Sequence, residues 1–538
     1  MKLLKIIIAT LSLVASVASA GTKALVDVAW LQKNLGREDI VLLDTSSAKL
    51  YAAGHVPGAV HADLYASGFH LAGAPIEQRF QSWGISPGRK VVIYDEGGTN
   101  MATWLFFELY HRGFPEEDLY ILDGGLAKWK SSGGAVTKEP TPAPPKGSFR
   151  ITNVREEARV RMPEFIVAWG DPAGNAVVEA LEPGFHFGDM KFFDKSGHIP
   201  NGIMWPNADF YNEDKTFKSP EEIRRMASYL GVKPEQQVNS YCGGGVAATV
   251  PFFALKFISG YPKVKVYKES AFEWMRDDRS LPVWSYDAPY LRREMTWVNG
   301  WNNKMMRMYG VSGVSIVDVR PAEAYKQGHL PYALNVSADV FKSNLADPAK
   351  LAAILGPAGV NAKDEAVIVS SGGVNERSAL AFLVLEKLGQ KVSLLMESID
   401  DWGLGGYQIT KEATIVGRPT SPQDMAVAPV LYASSPKPGV VIHDARAGGG
   451  LYPKVLVASG KNAPGKMPEG KVVHIPYTDL LDAKGMPKPA ADIWKVLAKA
   501  GVPRYAEIVL VADDPGEAAI NYYVFRMMGF PDVKVLAS

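Results

Sequence analysis

One four-residue pattern constrains this chain more than any other. Gly54-His55-Val56-Pro57 returns as Gly197-His198-Ile199-Pro200, as Gly328-His329-Leu330-Pro331 and, in degenerate form, as Gly465-Lys466-Met467-Pro468. The copies lie 143, 131 and 137 residues apart. Solenoid units repeat every roughly 20–50 residues, whereas domains run to roughly 100–150. The 538 residues are therefore read as successive copies of one domain.

Each copy sits in the same order of elements. A short apolar strand precedes it: Val41-Leu42-Leu43-Asp44, Ala176-Val177-Val178-Glu179, Ile316-Val317-Asp318 and Val440 to Asp444. A second strand follows, as Val91 to Asp95, Val238 to Cys242, Val367 to Ser371 and Ile508 to Ala512, then a tight loop, a helix and a third strand. Aligning those helices on the glycine that ends them sets Asp95, Cys242, Ser371 and Ala512 at one position. Strands alternating with helices predict an α/β class with four tandem domains, each a mainly parallel sheet flanked by helices. Pro-rich stretches at Pro140 to Pro145 and near Pro419 to Pro429 read as linkers, placing the domains at 22–146, 147–290, 291–418 and a degenerate 425–538.

Composition enters through charge and cysteine. Lys plus Arg is 58 against 57 for Asp plus Glu, so no basic excess points to nucleic acid. The first twenty residues read as a secretory signal: Lys2 and Lys5, an apolar run from Ile6 to Val17, then Ala18-Ser19-Ala20 before Gly21. That run is shorter than the roughly 20 residues of a membrane span, and no cysteine stands at the cleavage point for a lipid anchor. The expectation is a periplasmic protein without membrane insertion after cleavage.

The chain has one cysteine, Cys242. It cannot form an internal disulfide or a multi-thiolate metal site, so it is either an inert core thiol or a reactive one. It ends a strand and precedes Gly243, Gly244, Gly245, Val246 and Ala247, with a helical pattern over Val246 to Ile258. A glycine triplet is a poor way to finish a packed strand unless something must approach the backbone closely. Glycines let successive N–H groups turn inward as an anion nest, and a helix start adds partial positive charge. Both effects are expected to lower the Cys242 pKa and make it a nucleophile in two half-reactions. No arginine closes this loop, which argues against phosphoryl chemistry.

At this point the chain resembles the rhodanese-like sulfurtransferases, the family of thiosulfate and 3-mercaptopyruvate sulfurtransferases. The resemblance is carried by Asp214 to Arg224, Tyr241-Cys242-Gly243-Gly244-Gly245-Val246, and Trp274 with Leu281-Pro282-Val283 in the second copy. Leu122-Asp123-Gly124-Gly125 with Trp129 in the first copy, and Asp318 to Glu323 with Trp402 in the third, add to it. It implies that Cys242 is catalytic and passes sulfane sulfur, as a persulfide, from a small donor to a thiol or cyanide acceptor, or to a protein acceptor. The loop backbone of Gly243, Gly244, Gly245, Val246 and Ala247 would bind substrate, and no cofactor or metal is implied. Small residues in the loop resemble the 3-mercaptopyruvate type more than the thiosulfate type.

The resemblance also has departures. Ala247 stands where the family has Thr or Ser, Glu179-Ala180-Leu181 replaces an Asp-x-Arg pair, and Gly184 to Gly188 lacks the donor-binding arginine. His186, Lys191 or Lys195 would supply a compensating charge, although each reads more simply as a surface side chain. These departures keep open a second function, a sulfur or selenium carrier or scaffold that delivers to a partner without turnover. Asp95, Ser371 and Ala512 leave the other three copies without a thiol. His55, His198 and His329 share one repeat position and read as turn or structural hydrogen-bonding residues; the histidine spacing shows no metal-ligand pattern.

Overall fold

The computed structural model describes residues 24–64, 74–421, 424–446 and 449–537. The candidate signal at residues 1–20 lies outside the described residues. No helix among the described residues is long and apolar enough to cross a membrane.

The described residues contain four five-stranded sheets that follow one another along the chain. The first holds Leu25–Val26, Ile40–Asp44, Val60–His61, Lys90–Tyr94 and Leu119–Leu122. The second holds Arg159–Val160, Asn175–Glu179, Gly202–Met204, Gln237–Tyr241 and Val264–Tyr267. The third runs from Arg292–Arg293 to Val392–Leu395, and the fourth from Val441–Ile442 to Val533–Leu536. Counting strands within each sheet, all four have the spatial order first, fifth, fourth, second, third. Apart from the edge strand Gly202–Met204, the strands pair in parallel. The α/β reading therefore stands, and the fourth sheet, degenerate in sequence, keeps the order of the others.

The sequence dictates this arrangement through strands that are buried on both faces. Lys90–Tyr94, Glu365–Val369 and Glu507–Val511 are near-continuous apolar runs, as expected of parallel strands covered by helices. Each Gly-His-x-Pro histidine is fixed by its backbone. His55 exchanges two N–H···O bonds with Thr137, His198 with Trp284 and His329 with Thr410. The structural expectation for these histidines is met in all three places.

The chain divides into two compact units. Among the described residues, one comprises those up to 182 and 203–277, the other residues 183–202 and those from 278 on. Within the first, the helix Met101–His111 is buried along its whole length, because Phe106 and Phe107 meet Phe253 and Phe252 edge-on at 4.8 and 5.1 Å. Within the second, Glu376–Lys387 packs on Pro515–Met527, with Phe382 edge-on to Tyr523 at 5.0 Å. A helix that is apolar all round can only be stable when covered on all sides.

Glu108 is the one acidic residue inside Met101–His111. It is fully buried, and its carboxylate meets Lys268 at 2.6 Å and the Arg112 guanidinium. Glu108→Leu strands both cations and should cost about 3 kcal/mol, read as a lower urea midpoint, whereas Glu108→Gln keeps part of the contact and should cost less.

Candidate functional site

The loop after the central strand of the second sheet is the place to look, because open α/β sheets gather ligands at the carboxyl ends of their strands. Gln237–Tyr241 is paired on both sides, with Asn175–Glu179 and with Val264–Tyr267. Cys242 is the next residue, 3% exposed and free. The Ala180 N–H donates to the Tyr241 carbonyl at 2.9 Å, which closes the sheet beside it.

The chain then wraps the sulfur. The Gly245 N–H donates to Cys242 Sγ at 3.1 Å, and the N–H groups of Gly244, Ala247 and Ala248 also bear on it. Gly245 has φ +85°, and a Cβ there would lie 2.1 Å from the Lys268 carbonyl oxygen, so only glycine fits. Gly243 is buried, Gly244 exposed, and Val246 and Ala247 half-buried. The helix begins at Thr249, three residues later than the pattern suggests, and runs as Thr249–Phe253 continued by a wider turn over Ala254–Ile258. The delay leaves the backbone of 243–248 free to serve the sulfur.

The electrostatic expectation needs correcting. Burial is the largest influence and pushes the Cys242 thiol above its ordinary value, while the four N–H groups pull it back only in part. Desolvation disfavours the thiolate more than a nest of neutral donors favours it. The resting group is therefore a thiol, held where donors already point at any charge that forms on sulfur.

Ser270 is a site residue that the sequence reading passed over. Its hydroxyl accepts the Cys242 N–H at 3.1 Å and donates to the Tyr267 carbonyl at 2.6 Å. It sits at φ +55°, a left-handed conformation that costs a non-glycine residue about 1–2 kcal/mol. The matching residue of the first domain is Gly125, at φ +54°. The following N–H groups mark the equivalence: Ala271 donates to the Cys242 carbonyl and Leu126 to the Asp95 carbonyl. Comparing Gly124-Gly125 with Glu269-Ser270 is the signal that finds it.

The other copies fill or lose the same cradle. Asp95 turns its own carboxylate into its loop. It accepts from the Gly97 and Ala102 N–H groups at 2.8 and 3.1 Å and from the Thr99 hydroxyl at 2.6 Å. An anion fixed to the chain thus occupies the place an anionic donor would take. In the third domain the equivalent residue is Ser370, a correction of one position from Ser371. Val319 N–H donates to the Val369 carbonyl as Ala180 does to Tyr241, so Ser370 is the residue that follows the strand. Its hydroxyl accepts from Asn375 at 3.1 Å. The loop to the helix cap matches that of the first domain, but the helix Glu376–Lys387 is 12 residues long against 11 for Met101–His111, which is what shifted the alignment made on Gly389. Ala512 keeps its position after Glu507–Val511.

His186 and Lys191 belong to the second compact unit. His186 is not a surface side chain: it is fully buried and meets Asp287 at 3.0 Å. Lys191 is exposed and pairs with Ser196 in a small hairpin whose second strand also holds Lys195.

A family profile described as the rhodanese-like domain matches residues 27–132 and 300–404. The chain carries rhodanese-like domains at those two places, and Cys242 lies outside both stretches. A probable 3-mercaptopyruvate sulfurtransferase of Pseudomonas aeruginosa is 29% identical over 279 residues, which is 46% of this chain and 94% of that protein. A sulfur carrier protein, TtuD, of Thermus thermophilus is 28% identical over 273 residues, 47% of this chain and 94% of that protein. The crystal structure of SseA from Escherichia coli, titled as a 3-mercaptopyruvate sulfotransferase of rhodanese fold, is similar at 23% identity and a TM-score of 0.42, covering 46% of this chain and 98% of that one.

Two outcomes follow for the loop. Because burial holds the thiol protonated, alkylation of Cys242 by iodoacetamide should keep accelerating above pH of about 8.5, where an ordinary exposed cysteine begins to level off. Ser270→Gly should relieve the strained backbone and leave stability within about 1 kcal/mol, while removal of the acceptor of the Cys242 N–H should change the alkylation rate at fixed pH.

Proposed function

We propose that the chain is a sulfurtransferase that moves sulfane sulfur through a persulfide on Cys242. The observation that supports this reading best is a single buried sulfur that accepts the Gly245 N–H at 3.1 Å, with the N–H groups of Gly244, Ala247 and Ala248 also bearing on it. Neutral donors of this kind stabilise charge at one point without taking part in the bonds being made.

The chemistry balances in two half-reactions. The Cys242 sulfur, losing its proton to solvent or donor, attacks the outer sulfur of a thiosulfate-type donor. One S–S bond forms, the donor's S–S bond breaks, and sulfite leaves with the electron pair. With a 3-mercaptopyruvate-type donor the broken bond is C–S, and the departing pyruvate carbon takes up a proton. A thiophilic acceptor such as cyanide or a thiol then attacks the outer sulfur of the persulfide and restores the Cys242 thiolate. The charge in each half-reaction develops on the Cys242 sulfur or one S–S bond beyond it, beside the N–H groups that face the resting sulfur. Small side chains at Val246 and Ala247 favour the 3-mercaptopyruvate type, since no basic group in the loop meets a second anionic oxygen cluster. The amino-terminal pattern supports export to the periplasm.

A carrier reading is favoured by one specific feature, the burial that keeps the thiol neutral at rest; in that reading the acceptor is a partner protein. Thiocyanate formation from cyanide tests the assignment. With 3-mercaptopyruvate or thiosulfate as donor the full-length protein should turn over repeatedly, and Cys242→Ser should lose at least about a thousandfold in rate. Repeated turnover by Cys242→Ser contradicts the proposal, and a single discharge without turnover favours the carrier.

A further inference from the structure

We propose that His186, His198 and Asp287 form a binding site for a divalent transition-metal ion within the second compact unit. One ligand atom from each lies within 4.8 Å of the others, and both imidazoles are buried. Asp287 Oδ1 stands 3.0 Å from His186 Nε2 and 3.9 Å from His198 Nε2. Donor atoms bound about 2.0–2.1 Å from a tetrahedral zinc stand roughly 3.3 Å apart, and the two distances from the carboxylate oxygen, 3.0 and 3.9 Å, bracket that spacing. Two imidazoles and a carboxylate, with no sulfur, suit zinc and its first-row neighbours. Three protein ligands leave a fourth position for water or an exogenous group.

The repeats within the chain provide an internal control. In the first and third domains the Gly-His-x-Pro histidine stacks on a tyrosine: Tyr51 on His55 and Tyr325 on His329, each at 3.7 Å. In both, the histidine Nδ1 meets that tyrosine's own carbonyl at 2.9 Å. His186 takes the tyrosine's place on His198, with rings 3.7 Å apart and Nδ1 of His198 2.8 Å from the His186 carbonyl. The structural task is thus performed by tyrosine elsewhere, and this copy alone among the three replaces it with a ligand-forming ring. A carbonyl only accepts, so Nδ1 of His198 carries a proton, and its Nε2 is the ring atom that stands 3.9 Å from Asp287 Oδ1.

Asp287 is brought in by a dedicated packing arrangement. The Ala288 N–H donates to the Met527 carbonyl at 3.1 Å. Gly529 lets the carboxylate approach, since a Cβ there would lie 2.4 Å from Asp287 Oδ2. The Asp287 side chain is 22% exposed, which gives an ion a route in. The two rings are parallel within 3°, so one must tilt for both lone pairs to meet a single ion. The ion therefore replaces the ring stack when it binds.

Equilibrium dialysis of full-length protein against Zn2+, with bound metal counted by elemental analysis, tests this site. The wild type and Cys242→Ser should each bind one equivalent, which separates the site from the thiol. His186→Tyr reproduces the ring stack of the other domains and should fold normally by circular dichroism. It and Asp287→Asn should each weaken binding by more than the roughly tenfold that loss of an outer-shell partner costs. Absence of Zn2+ binding to the wild type, or binding unchanged in both folded variants, overturns the proposal.

Discussion

The backbone N–H groups that converge on Cys242 act where burial works against them, and that opposition governs the rest of the site. A thiol that is 3% exposed resists ionisation, yet Gly244, Gly245, Ala247 and Ala248 all point donors at it. Donors arranged around a neutral group are a poor use of backbone in a structural core. They make sense where charge appears on sulfur only during a reaction, because preorganised dipoles then need no rearrangement. The strained Ser270, which holds the Cys242 N–H from behind, fits the same logic: strain is kept where geometry must be fixed.

That geometry depends on packing some distance from the sulfur. Gly245 leans on the Lys268 carbonyl, and the Lys268 ammonium is held by the fully buried Glu108 of the first domain. The Thr103 and Thr249 hydroxyls meet at 2.9 Å between the two helices that follow the central strands. Within the first compact unit, a domain without a thiol thus supports the loop of the domain that has one. Asp95 shows how the same loop is made inert: its carboxylate satisfies the donors that an external anion would need.

The fold was legible in the sequence because parallel strands buried on both faces are apolar throughout, and because four copies repeat the same order. The loop was legible through its glycines. The Cys242 pKa was not, since the local motif carries the donors but not the degree of burial, which depends on residues far along the chain. The Ser371 alignment failed for a local reason: one extra helical residue in Glu376–Lys387 moves the helix-ending glycine without moving the strand end at Val369, which Ser370 follows. Ser270 and Asp287 escaped notice because their partners lie 28 and 89 residues away, Cys242 and His198 respectively, and nothing in local periodicity links them. His186 read as a surface side chain for the same reason.

The central claim is that one atom, the Cys242 sulfur, holds the transferred sulfur. Intact-protein mass spectrometry after incubation with 3-mercaptopyruvate or thiosulfate, followed by peptide mapping, tests it most directly. The account predicts a gain of about 32 Da, one sulfur atom, confined to the peptide containing Cys242 and removed by cyanide or a dithiol. A wild-type protein that gains no mass with either donor, or an equal gain in Cys242→Ser, would contradict it.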